Sequence, residues 1–202
     1  MIAVETVELL LQAARVAQAE RSGSQLRPAE WMALRFIGRA NEFSRTPSAL
    51  ADFQATTRAT ASHAVKQLEE GGYIAKKQSR KDGRSFSLTL TKKGRETLAH
   101  DPVAVLVEAI RTLPEQNQAA IHDALRQTLV KLSEGGEHRH FDVCKDCVFL
   151  SGNTTGDGNG KSHGADAQGY KCRMFRVPID AEDVDLLCGN FQQDNGGDRG
   201  RA

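Results

Sequence analysis

Long apolar runs are missing from these 202 residues: none reaches the roughly 18–20 residues that a membrane-spanning helix needs. Met1-Ile2-Ala3-Val4-Glu5 has no basic segment leading into an apolar one, so no secretory signal is expected. That points to a cytoplasmic chain with reduced thiols. Aromatic residues are scarce at 5%, and hydrophobic residues reach only 39%. The core is therefore lean, and part of the chain needs some other staple. Net charge is nearly absent: 27 Lys+Arg against 26 Asp+Glu gives +1, which as an average speaks against a nucleic-acid binder. No Gly-x-Gly-x-x-Gly, phosphate loop or general acid–base cluster appears. Gly156-x-Gly158-x-Gly160-Lys161-Ser162 has the wrong spacing for a phosphate loop, and no apolar strand precedes it. Catalysis is not expected, although a redox enzyme using a docking module is a third reading. Cysteine is absent from residues 1–143.

The charges that are present are unevenly placed. Residues 56–95 hold ten Lys/Arg against three acids, which is +7, so the remaining residues sum to −6. A basic block of this kind is the footprint of phosphate contact. Glycine and cysteine are uneven as well. All four cysteines lie between 144 and 188, and ten glycines fall between Gly152 and Gly200. Residues 151–169 are almost free of apolar side chains and read as a flexible loop. With a boundary near Gly135-Gly136, the chain divides into a helical, basic part (1–136) and a cysteine-bearing extension (137–202).

Periodicity predicts a first helix over 3–21, then a second opened by Arg27-Pro28-Ala29-Glu30 with Trp31, Leu34, Ile37 and Gly38 inward. Ser48 to Phe53 reads as a short third helix, and Thr56 as the N-cap of a fourth that runs to Glu70. Ala61, Val65 and Leu68 form the inner face of that fourth helix. Thr56, Thr57, Arg58, Thr60, Ser62, His63 and Lys66 are its candidate DNA contacts. A short helix, a tight turn and a second helix with small polar and basic residues early in it follow helix-turn-helix logic. Arg58 and His63 could reach base edges in a major groove. Gly71-Gly72 then stops the helix, and Tyr73-Ile74-Ala75 and Ser85 to Leu90 read as strands around a basic hairpin with an Asp82-Gly83 turn. Arg80, Lys81, Asp82, Arg84 and Ser85 are the candidate contacts of this wing, and Arg84 at its tip suits a narrow minor groove. Residues 92–112 and 115–132 read as two further helices separated at Leu113-Pro114. The fold expected is mainly α with a small β-wing, followed by a small irregular module.

The segments LRPAEWMALRFI, TPSALADFQATTRATASHAVKQLEEGGYI and KKQSRKDGRSFSLTLTKKG together resemble a MarR-type winged-helix transcriptional regulator over residues 4–134. Asp82-Gly83-Arg84-Ser85 is similar to the family's Asp-x-Arg-Ser wing signature. The resemblance implies that Asp82 and Arg84 structure the wing and that Arg84 contacts DNA. It further implies a homodimer with interleaved terminal helices, reading a pseudo-palindromic operator in double-stranded DNA.

Cys144-x2-Cys147-x24-Cys172-x15-Cys188 offers four soft ligands, which suit zinc, copper(I) or iron–sulfur chemistry. Two disulfides are a weaker alternative in a reducing compartment, and four unrelated thiols are the bland one. Structural zinc usually takes two close pairs, whereas the last two cysteines here are single and have apolar neighbours. The pattern CKDCVFL…YKCRMF…LLCGNF resembles the small modules, similar to high-potential iron proteins, of some glycyl-radical enzyme subunits. That resemblance implies a 4Fe–4S cluster on the four cysteines; it covers residues 144–191 and departs by the glycine-rich insertion. His138, His140 and His163 flank the site but read as polar loop residues. The function expected is a DNA-binding repressor controlled by a cluster that senses redox state, oxygen, nitric oxide or iron. The alternative keeps the DNA role, with a structural zinc and a small phenolic or aromatic effector. Cys144 follows closely on the last helix, so a change at the cluster is expected to act by straining the dimer.

Overall fold

Pro28 opens α2 (Pro28–Arg39), where its missing N–H leaves nothing unpaired, and the Arg27 N–H donates to Glu30 Oε2 at 2.8 Å. α2 is the axis of the fold: Trp31, Ala33, Leu34, Phe36 and Ile37 are all buried. Against it pack α3 (Pro47–Phe53), α4 (Arg58–Glu70) and the two-stranded sheet of β1 (Ile74–Gln78) and β2 (Phe86–Leu90). The strands pair antiparallel with Ile74 opposite Leu90 and Gln78 opposite Phe86. Leu50, Leu68, Ile74 and Leu88 close the same cluster from these neighbours. The computed structural model describes residues 1–19, 26–78, 86–135, 138–152 and 169–193.

The expected helix over 92–112 is two helices, α5 (Lys92–Leu98) and α6 (Ala104–Arg111). The interruption lies at Pro102, which cannot donate and crowds the preceding turn. Asp101 fastens the break: its carboxylate accepts from the Arg35 guanidinium at 2.5 and 2.6 Å and from the Val103 N–H at 2.9 Å. Gly94 lets α5 approach the sheet, because a Cβ there would sit 2.0 Å from the Tyr73 carbonyl oxygen. α7 (Glu115–Glu134) follows Pro114.

α1 (Ile2–Ala19) matches the expected first helix within the described residues, and its nearest partner is α6. Ile2, Val4, Val7, Leu9, Leu10, Leu11 and Val16 are exposed on it, as are Ile121, Leu125, Leu129 and Leu132 on α7. Apolar surface of this extent is unusual on a monomer's helices.

Beyond α7 come five short strands: β3 (Asp142–Val143), β4 (Leu150–Gly152), β5 (Tyr170–Cys172), β6 (Val177–Ile179) and β7 (Leu187–Cys188). β3 pairs with β7, and β4, β5 and β6 form an antiparallel sheet in that order. Ser151 and Gly152, expected to begin a flexible loop, instead lie in β4, where the ladder to β5 satisfies their backbone. The rest of that loop, 153–168, lies outside the described residues.

Candidate nucleic-acid interface and cysteine site

Thr46 caps α3 by accepting the Ala49 N–H, and Pro47 occupies the first helical position. The turn after α3 passes through Ala55 at φ +48°, a left-handed conformation without glycine. The N-cap of α4 is Thr57 and not Thr56: its hydroxyl accepts the Thr60 N–H at 3.1 Å. The two threonines are adjacent, and it is Thr57, with its backbone extended, that turns its oxygen onto the helix end. Ala61, Ala64, Val65 and Leu68 face the core. Thr57, Arg58, Thr60, Ser62, His63 and Lys66 are exposed and Thr56 is half-buried, so the expected contacts share the outer side of one helix.

The basic block separates into roles that residue counts do not reveal. Lys93 Nζ donates to the Gly71 carbonyl at 2.7 Å and lies 4.2 Å from the Tyr73 ring centroid, while Arg95 donates to the Leu90 carbonyl at 2.9 Å. Lys76 pairs with Glu69 at 2.6 Å, and Lys66 more loosely with Glu70 at 3.7 Å. Several of these charges therefore staple the wing root to α4 and α5. Lys77 is exposed on β1. Arg80, Lys81, Asp82, Arg84 and Ser85 lie outside the described residues.

The cysteines are brought together by strand pairing. β3 and β7 set Asp142 opposite Cys188, which places Cys144 beside Cys188. β4 and β5 set Leu150 opposite Cys172, which brings Cys172 to the Cys147 turn across 24 intervening residues. All four are free thiols and line one cavity of about 20 Å³, with Asn41, Phe43, Phe149, Leu150, Phe175, Ile179 and Asn190 as its other walls. Among the described residues, no three His, Cys, Asp or Glu side chains converge as they would on a single metal ion.

Cys144 and Cys188 are buried and within hydrogen-bond reach of each other. The Cys144 thiol, with further help from the Asn41 amide, the Asn190 backbone and the Ser44 hydroxyl, lowers Cys188 to about pKa 6 against the opposing effect of burial. Cys144 moves the other way, raised by its bond to Cys188 and by burial. The hydrogen bond between them thus favours one charged sulfur in the pair, and a thiolate is the ligand form of cysteine.

His138 and His140 line a different cavity, of about 220 Å³, with Phe53, Leu129, Leu132, Arg139 and Phe141. His140 Nε2 stands 3.3 Å from Asp142 Oδ2, and its ring meets Phe191 edge-on. Neither histidine lines the sulfur cavity, and His163 lies outside the described residues.

Composition and spacing gave no sign of where this module docks. Its contacts fall on residues 40–46, the loop from α2 into α3. The Asn41 N–H donates to the Leu187 carbonyl at 2.8 Å, the Gly189 N–H to Ser44 Oγ at 2.9 Å, and Phe43 stacks on Phe175 at 4.3 Å. Phe141 packs edge-on against Phe36 and Phe53, and Gly189 is required beneath it because a Cβ would come within 2.6 Å of the ring. A second tie runs to α7, where Arg126 reaches Asp142 at 2.6 Å and Asp146 at 2.8 Å. These two carboxylates raise the guanidinium's pKa despite its partial burial.

The helix-turn-helix, the paired strands and the outward face of α4 together decide the fold. Residues 24–85 match the model of the MarR family. Among solved structures, the transcriptional regulator PA3341 superposes with a TM-score of 0.54 at 24% identity, covering 64% of this chain and 98% of its own. A MarR/EmrR family transcriptional regulator from Acinetobacter sp. ADP1 follows at 0.52 and 18%, covering 65% of this chain and 95% of its own. Streptococcus pneumoniae FabT, solved in complex with DNA, follows at 0.50 and 22%, covering 66% and 98%. No curated protein sequence matches the chain. The MarR-type winged helix expected from the sequence is therefore the fold observed over the matched part of the chain. Roughly a third of the chain falls outside each of these superpositions.

Proposed function

We propose that this chain is a dimeric, DNA-binding transcriptional repressor whose affinity for DNA is set by an iron–sulfur cluster on Cys144, Cys147, Cys172 and Cys188. The observation that carries the reading is that these four thiols surround one cavity whose wall includes the loop that feeds the helix-turn-helix. The donor set fits: soft thiols, apolar walls from Phe43, Phe149, Phe175 and Ile179, and one thiolate already favoured. Apolar neighbours around the four thiols would shield an iron–sulfur cluster from water, and this favours it over zinc. Bound there, such a group supplies a redox-active and oxygen-labile centre. The chain's own residues do the rest. α4 presents Arg58, Thr60, Ser62 and His63 to base edges, Lys66 faces phosphates, and the bare faces of α1 and α7 take a second copy. Two α4 helices on a dyad then read a pseudo-palindromic operator. Such a regulator works in the cytoplasm.

Protein isolated without oxygen is expected to be coloured and to contain iron and sulfide; a colourless protein with one zinc per chain refutes the cluster. For the DNA half, Arg58→Glu together with Arg84→Glu is expected to abolish the gel shift, and an unchanged shift refutes it. The cavity beside Phe53, Leu129 and Phe141 favours a second reading, in which a small aromatic effector binds there and the thiols hold structural zinc.

A further inference from the structure

Asn41 belongs to the winged helix, is 4% exposed, and uses its polar groups across the seam. Its N–H donates to the Leu187 carbonyl at 2.8 Å. Its Nδ2 donates to Cys144 Sγ at 3.4 Å. Its Oδ1 and its backbone carbonyl both take the Ser44 N–H at 3.0 Å, and that carbonyl also takes the Arg45 N–H at 3.2 Å. The Arg45 carbonyl accepts the Leu88 N–H of β2 at 2.7 Å, and the next residue, Thr46, caps α3. One amide thus joins a site sulfur to the turn from which α3 and the wing root are both hung.

We propose that Asn41 is the positioning residue that couples the sulfur site to DNA binding: its amide holds the Cys144 sulfur at one end and the 41–46 turn at the other, so that a shift of that sulfur moves the turn. Both ends of the amide are committed, so loss of the sulfur contact frees the group that shapes the turn. The route runs inside one subunit, into α3 and α4, and does not require the strained dimer expected from the sequence. The inference rests on the reading of the four thiols as ligands.

The test uses the full chain isolated without oxygen, before and after stripping with ferricyanide and EDTA. The DNA probe is a duplex that the wild-type protein selects from a random-sequence pool. Wild type is expected to change its Kd about tenfold on stripping and to exchange the α3 amides faster. In Asn41→Ser the hydroxyl can still take the Ser44 N–H in a side-chain turn but is too short for the sulfur. That variant is expected to load normally, yet to respond less than about twofold in Kd and to show no change in α3 exchange. Arg126→Gln removes the module's other tie, to α7, and is expected to keep the wild-type response. A loaded Asn41→Ser with the full response overturns the proposal, as does a loaded Arg126→Gln that loses the response as completely. Asn41→Thr replaces Asn41→Ser if that variant does not fold or load, and failure of both to load makes Asn41 a structural requirement and overturns the coupling role. A wild type without iron and sulfide, or indifferent to stripping, overturns the underlying reading instead.

Discussion

Fifteen buried apolar side chains from Leu26 to Leu88 form one cluster in the winged helix. The described residues between 138 and 193, by contrast, bury Ile179, Asp142 and, to similar depth, the thiols of Cys144 and Cys188. The first region would hold its shape with any comparable set of apolar residues. In the second, two of the four buried side chains are the reactive thiols, so its packing and its chemistry are hard to vary separately. Five strands of two or three residues carry little stability by themselves. The module gains what it lacks from Phe141, placed among the winged-helix aromatics, and from Arg126.

The sharpest way to break this contrast is Cys172→Ser. One missing thiol is expected to abolish cluster loading and the response of DNA binding to oxidation, while α2 to α4 stay folded. Iron content and circular dichroism on one sample check both; loss of helical signal would mean that the regions are not distinct. Phe141→Ala comes next. Removing a ring shared by both regions is expected to cost about 2–3 kcal/mol, and to split thermal unfolding into two transitions in calorimetry. A single transition shifted downward would show one cooperative unit. Leu129→Asp tests the bare α7 face: sedimentation is expected to show the dimer weakened at least about tenfold, with the monomer's helical content kept. The smallest effect belongs to Ala55→Gly, which relieves a left-handed φ in the helix-turn-helix and should raise stability by about 1 kcal/mol without touching metal content.

The same contrast governs how far the sequence could be read. Pro28, Pro47, the threonine pair before Arg58 and Gly71 are local punctuation, and they mark α2, α3 and α4 to within a residue. Thr57 displaced Thr56 as the cap because neighbouring threonines are equivalent until the backbone angle is known. Pro102 was as visible as the others, but the apolar stripe through Val103, Val107 and Ile110 masked the break. In the extension, the cysteine spacing pointed to a shared site. Its partners were not legible, because an Asn41 amide on a sulfur and a stacked Phe43 leave no periodic trace. The +7 block coincides with α4, the wing strands and α5, but part of it is structural, since Lys93 and Arg95 bind backbone carbonyls.

The ladder of β4 and β5, with Leu150 opposite Cys172 and Gly152 opposite Tyr170, works as a clasp. Whatever chain runs between Gly152 and Tyr170, the two ends meet in the same register, and Cys172 arrives at the same place. Chain length is thereby uncoupled from the position of Cys172. Residues can be added to or trimmed from that interval, and a fluorescent reporter inserted there, with the sulfur constellation left intact.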